Sequence, residues 1–171
     1  MNYATGGRGD GSHLAALFFN KLADITPVAV PYQGEGPALP SVLGNQVPYM
    51  FVSAPTAAGV VGAGQLKGLA VTSKVRASTL PQIPTLQEQG LAGYEMVNWW
   101  GFFGPAGMTP ATVEMLNKAI AEVLKEPATK EKLNTLGFEI TGSTPQEFAT
   151  YVKSENLKWS EVIKSQGLTP D

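Results

Sequence analysis

Cysteine is absent from the chain, which excludes disulfides, thiol catalysis and thiolate metal sites. Histidine occurs once, as His13, so a metal centre built from several imidazoles is excluded too. Lysine and arginine form no cluster and the net charge is -2, so nucleic acid is not an expected partner. No apolar run approaches the roughly eighteen residues that a membrane-crossing helix needs. The N-terminus has no basic n-region followed by an apolar h-region, so no signal peptide is read in this chain. Charged residues make up only 15%, fewer than in an average domain, while 171 residues suffice for one ordinary domain with a proper core. Neither a metal nor a cofactor is expected.

What is present is glycine, concentrated at one point. Asn2 to Thr5 is a short β-prone piece, and Gly6-Gly7-Arg8-Gly9-Asp10-Gly11 follows it. The loop runs into the apolar stretch Leu14-Ala15-Ala16-Leu17-Phe18-Phe19, which reads as a helix. Strand, glycine loop and helix start bring unpaired backbone N–H groups and the positive end of a helix dipole to one place. Such a place attracts an anion, either phosphate or carboxylate. A phosphate P-loop requires Gly-Lys-Ser/Thr, whereas this loop ends Gly11-Ser12-His13. Gly7-x-Gly9-x-x-Ser12 approaches the dinucleotide fingerprint, but no acidic residue closes a second strand about twenty residues later. Arg8-Gly9-Asp10 spells an adhesion tripeptide that is short enough to arise by chance. The competing reading is a tight strand-to-helix turn with no ligand at all, and Asp10 is an awkward neighbour for an anion.

Along the rest of the chain, strands and helices alternate. A first helix spans about Gly11 to Ala23, and Thr26 to Tyr32 reads as a buried strand. Gln33-Gly34-Glu35-Gly36-Pro37 is a second glycine turn before a short helix over Ala38 to Leu43. Val47 to Val52 is a strand weakened by Pro48, Ala54 to Ala63 a small-residue helix, and Leu66 to Thr72 a further strand. The alternation argues for parallel βαβ units. After the irregular Leu80-Pro81-Gln82-Ile83-Pro84, Thr85-Leu86-Gln87-Glu88 is a capping box that opens a short helix stopped by Gly90. Tyr94 to Phe103, with Trp99-Trp100-Gly101-Phe102-Phe103, suggests a strand buried on both faces or one crossing between lobes; core packing competes with a ligand-stacking role. Helices follow from Pro110, from Pro127 to Gly137, and from the capping box Thr144-Pro145-Gln146-Glu147 to Gly167, with Phe138-Glu139-Ile140 as a short strand. The last third therefore supplies helices without a sheet of its own to cover.

These motifs together resemble the tripartite tricarboxylate transporter receptors, the Bug-type periplasmic solute-binding proteins, over the C-terminal two-thirds or so of that family. The resemblance rests on Asn2-Tyr3-Ala4-Thr5 with Gly7, Gly9 and His13-Leu14, and on Val30-Pro31-Tyr32-Gln33-Gly34 with Gly36-Pro37-Ala38. It continues through Gly64-Gln65-Leu66-Lys67, Leu69-Ala70-Val71-Thr72-Ser73, Arg76, Leu80-Pro81 and Ile83-Pro84-Thr85. Trp100-Gly101, Pro105-Ala106-Gly107-Met108-Thr109-Pro110, Leu116-Asn117 and Thr144-Pro145-Gln146-Glu147-Phe148 complete it. No single motif decides; order and spacing do.

The resemblance implies an α/β fold of the periplasmic-binding-protein type II kind, with a parallel-type sheet flanked by helices. Residues 1–98 would be the second, ligand-binding lobe. Residues 99–171 would be a crossover strand and helices returning to a first lobe that this chain lacks. It also implies a non-enzymatic receptor for a small dicarboxylate or aromatic acid, feeding membrane transporter subunits from the periplasm. The ligand would meet Thr5, Gly7, Arg8, Gly9, Asp10, Gly11 and Ser12 from the loop, a cleft wall of Tyr32, Gly34, Glu35 and Gly36, and Ser53. Tyr32 has core packing as its competing role. Asp10 stands where the family usually has Ser or Thr, and an Asp that amino-acid-binding members use is replaced around Val52-Ser53, so an α-amino acid is disfavoured. The alternative is a truncated remnant without transport function, self-associating as a homodimer through faces left open. A small hydrolase using Ser12 and His13 is disfavoured, since adjacent residues at a helix start point in different directions and no G-x-S-x-G elbow is present.

Overall fold

Asn2–Thr5 (β1) and Val28–Pro31 (β2) pair in parallel, with Tyr3 opposite Ala29 and Ala4 opposite Val30. Between them runs Gly11–Leu22 (α1), which completes a βαβ unit. The structure is a computed structural model and describes residues 1–165. Glu35–Leu43 (α2) packs on β1, and Ala54–Gly62 (α3) follows. Later come Pro110–Lys125 (α4), Pro127–Thr135 (α5) and Pro145–Ser165 (α6). The chain divides into two units, Met1–Trp99 and Trp100–Asp171.

In the first unit β1 is the buried element: Tyr3, Ala4 and Thr5 are 1% exposed or less. Ala4 packs with Ala38 of α2 and Val47, with Val30, Tyr32, Val42 and Met50 around them. On the α1 side, Ala15 and Ala16 are buried. Tyr94 lies against Phe18 (5.0 Å between ring centres) and donates its hydroxyl to the Ala15 carbonyl at 2.9 Å. This one side chain ties the end of the unit to α1. Burial raises the Tyr94 pKa, so the phenol stays neutral as a donor.

Several expected elements take another form. Val47 to Val52 is not a strand; it contributes a single parallel bridge, Ala4 to Met50, with the Ala4 N–H donated to the Tyr49 carbonyl. Pro48, which has no N–H, interrupts the run. Leu66 to Thr72 is likewise reduced to one bridge, Val71 to Thr85. The Thr85 capping box forms both reciprocal bonds, Glu88 N–H to Thr85 Oγ1 and Thr85 N–H to Glu88 Oε2. It closes a turn and opens no helix, because Gly90 at φ 97° follows too soon. α2 begins at Glu35 instead of Ala38: Pro37 falls in the first turn, where a missing N–H costs nothing.

The second unit is helical. Thr109 caps α4 by accepting the Thr112 N–H, and the Thr144–Glu147 box caps α6 reciprocally. Those bonds hold the Glu147 carboxyl below its usual pKa. α5 ends in a Schellman turn, with Phe138 N–H to Leu133 O, Gly137 N–H to Asn134 O and Gly137 at φ 77°. Phe138 to Ile140 is irregular, not a strand. Tyr94 to Phe103 is not a doubly buried strand either: Tyr94 and Met96 are buried, but Trp100, Phe102 and Phe103 are 72%, 76% and 70% exposed. The division between units falls inside this segment, and among the described residues no strand pairs with it. The expected helix stop at Gly167 lies outside the described residues.

Candidate functional site

Parallel pairing puts the ends of β1 and β2 on one edge of the sheet, where chains of this architecture bind ligands. At that edge Gly6 and Gly7 run beside the segment leaving β2. Gly34 N–H donates to the Gly6 carbonyl at 2.6 Å, and Tyr32 N–H to the Thr5 carbonyl at 2.9 Å. Gly6 is required there. A Cβ at this position would collide with Asp10 Oδ2 and come within 3.2 Å of the Glu35 nitrogen.

The loop is held by its own polar side chains. Thr5 is wholly buried, and its hydroxyl exchanges bonds with Gly7 N–H and Gly7 O, both at 3.2 Å. Ser12 Oγ accepts Gly6 N–H at 2.9 Å and donates to Asp10 Oδ1 at 2.8 Å. Asp10 is the N-cap of α1, accepting the His13 N–H at 2.8 Å. Gly9, at φ 76°, donates its N–H to His13 Nδ1 at 3.0 Å. Burial lowers the His13 pKa; the Asp10 carboxylate opposes this and Arg8 reinforces it.

Subtracting these bonds leaves a small set of free donors. The backbone N–H groups of Arg8, Gly11 and Ser12 have no acceptor among the described residues. Gly11 and Ser12 open α1, where the helix dipole favours negative charge, and Arg8 stands in the loop just before the Asp10 cap. The Arg8 side chain is exposed beside them. The Thr5 and Ser12 hydroxyls, expected at a ligand, are engaged inside the loop. Asp10, the awkward acid, is a structural cap.

The cleft-wall residues divide in a similar way. Tyr32 is half-buried against the Ala4–Ala38–Val47 cluster. Gly34, at φ 109°, precedes α2 as its N-cap, and Gly36 lies in the first turn. Glu35 and Ser53 meet: Glu35 Oε1 accepts Ser53 N–H at 3.0 Å and Oε2 accepts Ser53 Oγ at 2.7 Å. Thr56 Oγ1 adds a longer bond to Oε2 at 3.4 Å. Ser53 is the N-cap of α3, so Glu35 reaches from one helix to hold the start of the next.

Two residues of this region escape sequence reasoning. Thr56 joins the Glu35 cluster three residues after Ser53, a spacing visible only once the helix start is known. Asn98 lies on Gly11, its Oδ1 2.5 Å from where a Gly11 Cβ would stand. Its carboxamide reaches the α1 start from the far end of the unit, with no local sequence signal.

Residues 1–168 match the family model described as "Tripartite tricarboxylate transporter family receptor". The chain belongs to this family. A relative in Pseudomonas sp. (strain P51), the UPF0065 protein in the tcbD-tcbE intergenic region, is 33% identical over 95% of this chain and 49% of its own length. Among solved structures, R. palustris Rpa4515 with adipate superposes at TM-score 0.82 (29% identity, 100% of this chain, 57% of that one). The periplasmic binding protein BugD superposes at 0.80 (30%, 100% and 58%). MatC (Rpa3494) from Rhodopseudomonas palustris with bound malate superposes at 0.75 (30%, 95% and 56%). The fold is thus that of periplasmic binding proteins of the tripartite tricarboxylate type. The chain spans about half the length of these proteins, less than the two-thirds that the motifs implied. The family is one of receptors, not of enzymes.

Proposed function

We propose that this chain carries one half of a solute-binding site for a small carboxylate, seated on the Arg8, Gly11 and Ser12 N–H groups at the start of α1. The carrying observation is that these donors remain free after the loop's internal bonds are counted. Adipate and malate, bound by two solved relatives, are acids of the chemistry such donors suit. The substrate class is a dicarboxylate or an aromatic acid, delivered to membrane transporter subunits, with a periplasmic location. Residues 1–98 act as the binding lobe and residues 99–171 as the part returning to the other lobe. The Asn98 carboxamide, lying on Gly11, adds a side-chain contact to the ligand. Binding by this half alone falls in the millimolar range, because each charge-assisted hydrogen bond it does not supply is worth about 1.5–3 kcal/mol. Thermal stability measured against mono-, di- and aromatic carboxylates tests this reading. One acid raises the transition temperature, and Gly9→Val, which forces a β-branched residue into φ 76°, abolishes the shift. A flat response to every acid overturns it.

A second reading has its own observation. Trp100, Phe102 and Phe103 are more than two-thirds exposed, as an associating surface would be. In that reading the chain self-associates as a homodimer and has no transport role. Light scattering separates the two: a monomer that responds to an acid supports the receptor, and a dimer indifferent to all acids supports self-association.

A further inference from the structure

The glycine loop has a fixed base and a lightly held tip. At the base, Thr5, Gly6 and Ser12 are buried, and Ser12 Oγ bonds to both the Gly6 N–H and Asp10. At the tip, Arg8 and Gly9 are exposed, and a side chain at Gly9 would meet open space. The Asp10 N–H reaches the Gly7 carbonyl at only 3.5 Å, a long hydrogen bond. One short bond pins the tip to α1, from the Gly9 N–H to Nδ1 of His13, a residue itself 6% exposed. Imidazole gains a proton near neutral pH; the hydroxyls and carbonyls at the base do not.

We propose that His13 is a pH-operated latch on the tip of the loop. With Nδ1 bare, the ring accepts the Gly9 N–H and the tip is closed on α1. A proton on Nδ1 sets one N–H against another, and the tip is released. Glycine is suited to this, since it populates other backbone regions as readily as φ 76°. Burial lowers the pKa of the latched ring, with Asp10 opposing and Arg8 reinforcing that shift. Glu35, next to Gly6, is engaged by Ser53 and Thr56, and Asn98, which lies on Gly11, carries no charge. The released ring returns to about 6.5. The latched state therefore binds fewer protons, so the latch is closed above about pH 6.5 and opens as pH falls through the lower value. The tip carries the Arg8 N–H, so opening it moves one donor of the carboxylate site, a consequence that rests on the function proposed above.

Nuclear magnetic resonance of the full chain, taken from about pH 7.5 down to about pH 5, tests the latch without any ligand. His13 is the sole histidine, so its ring signals need no sorting. At the upper end Nδ1 shows the shift of an unprotonated nitrogen and Nε2 that of an N–H. On acidification the ring and the Gly9 amide move with one shared midpoint. Exchange of that amide, corrected for its intrinsic pH dependence, speeds by roughly fivefold, the loss expected for one hydrogen bond. His13→Asn sets an amide oxygen near the place of Nδ1, and its Gly9 amide stays flat across the range. A proton on Nδ1 at the upper end, a ring that stays neutral to the lower end, or a ring that titrates while Gly9 does not move each overturns the latch; all three are read on the wild type, so a variant that fails to fold leaves the test intact. Any of these leaves the receptor reading standing, whereas failure to bind any acid overturns that reading and not the latch.

Discussion

Gly9 donates its backbone N–H to Nδ1 of His13 at 3.0 Å. The bond requires a bare Nδ1, so the neutral ring carries its proton on Nε2. Protonation at Nδ1 removes the acceptor that holds Gly9 at its positive φ.

A pH dependence follows with a definite sign. The folded pKa of His13 lies below its ordinary value, chiefly through burial. Below about pH 6.5 the unfolded chain therefore binds protons that the folded chain refuses. His13 contributes its full stability above that point, and the contribution falls as pH drops towards the folded pKa. Thermal unfolding followed from about pH 7.5 down to about pH 5, a span that brackets the ordinary histidine pKa, shows a decline that His13→Gln lacks. Parallel curves for the two proteins contradict this.

Asp10 is structural. Asp10→Ala costs about 0.5–2 kcal/mol, the ordinary loss for an N-cap, because the His13 N–H loses its acceptor. Asp10→Asn keeps an acceptor at that position and costs less. Urea unfolding of both variants reads the difference; an alanine variant as stable as the wild type shows that the cap contributes nothing.

Tyr94 fastens the end of the first unit to α1 through Ala15. Tyr94→Phe keeps the ring against Phe18 and costs about 0.5–1.5 kcal/mol for one hydrogen bond. Tyr94→Ala removes a fully buried ring and costs roughly 3–5 kcal/mol. Equal losses for the two variants would mean that packing against Phe18 carries nothing.

Local signals serve best where the physics is local. β1, α1 and the caps at Thr109 and Thr144 follow from residues a few positions apart, and they stand within a residue or two of where the sequence puts them. The strands expected at Val47 and Leu66 do not form, because apolar content says nothing about whether a neighbouring strand is present; each finds only one bridge. The aromatic run at Trp99 departs from expectation for the same reason. At the site, glycine and helix start are legible, since both are consecutive in sequence. The consumption of the Thr5, Asp10 and Ser12 side chains is not, because it depends on rotamers. The Glu35–Ser53 clasp spans 18 positions, and the Asn98–Gly11 contact is longer still.

A carboxylate seated on the α1 donors is what the receptor reading stands on. Titrating adipate into isotopically labelled protein while recording backbone amide resonances tests it most directly. Saturable shifts concentrated at Arg8, Gly11 and Ser12 are expected, with Asn98 following through its side-chain amide. Saturable binding whose shifts avoid these residues, or no shift at any amide at acid concentrations well above the expected millimolar affinity, would contradict it.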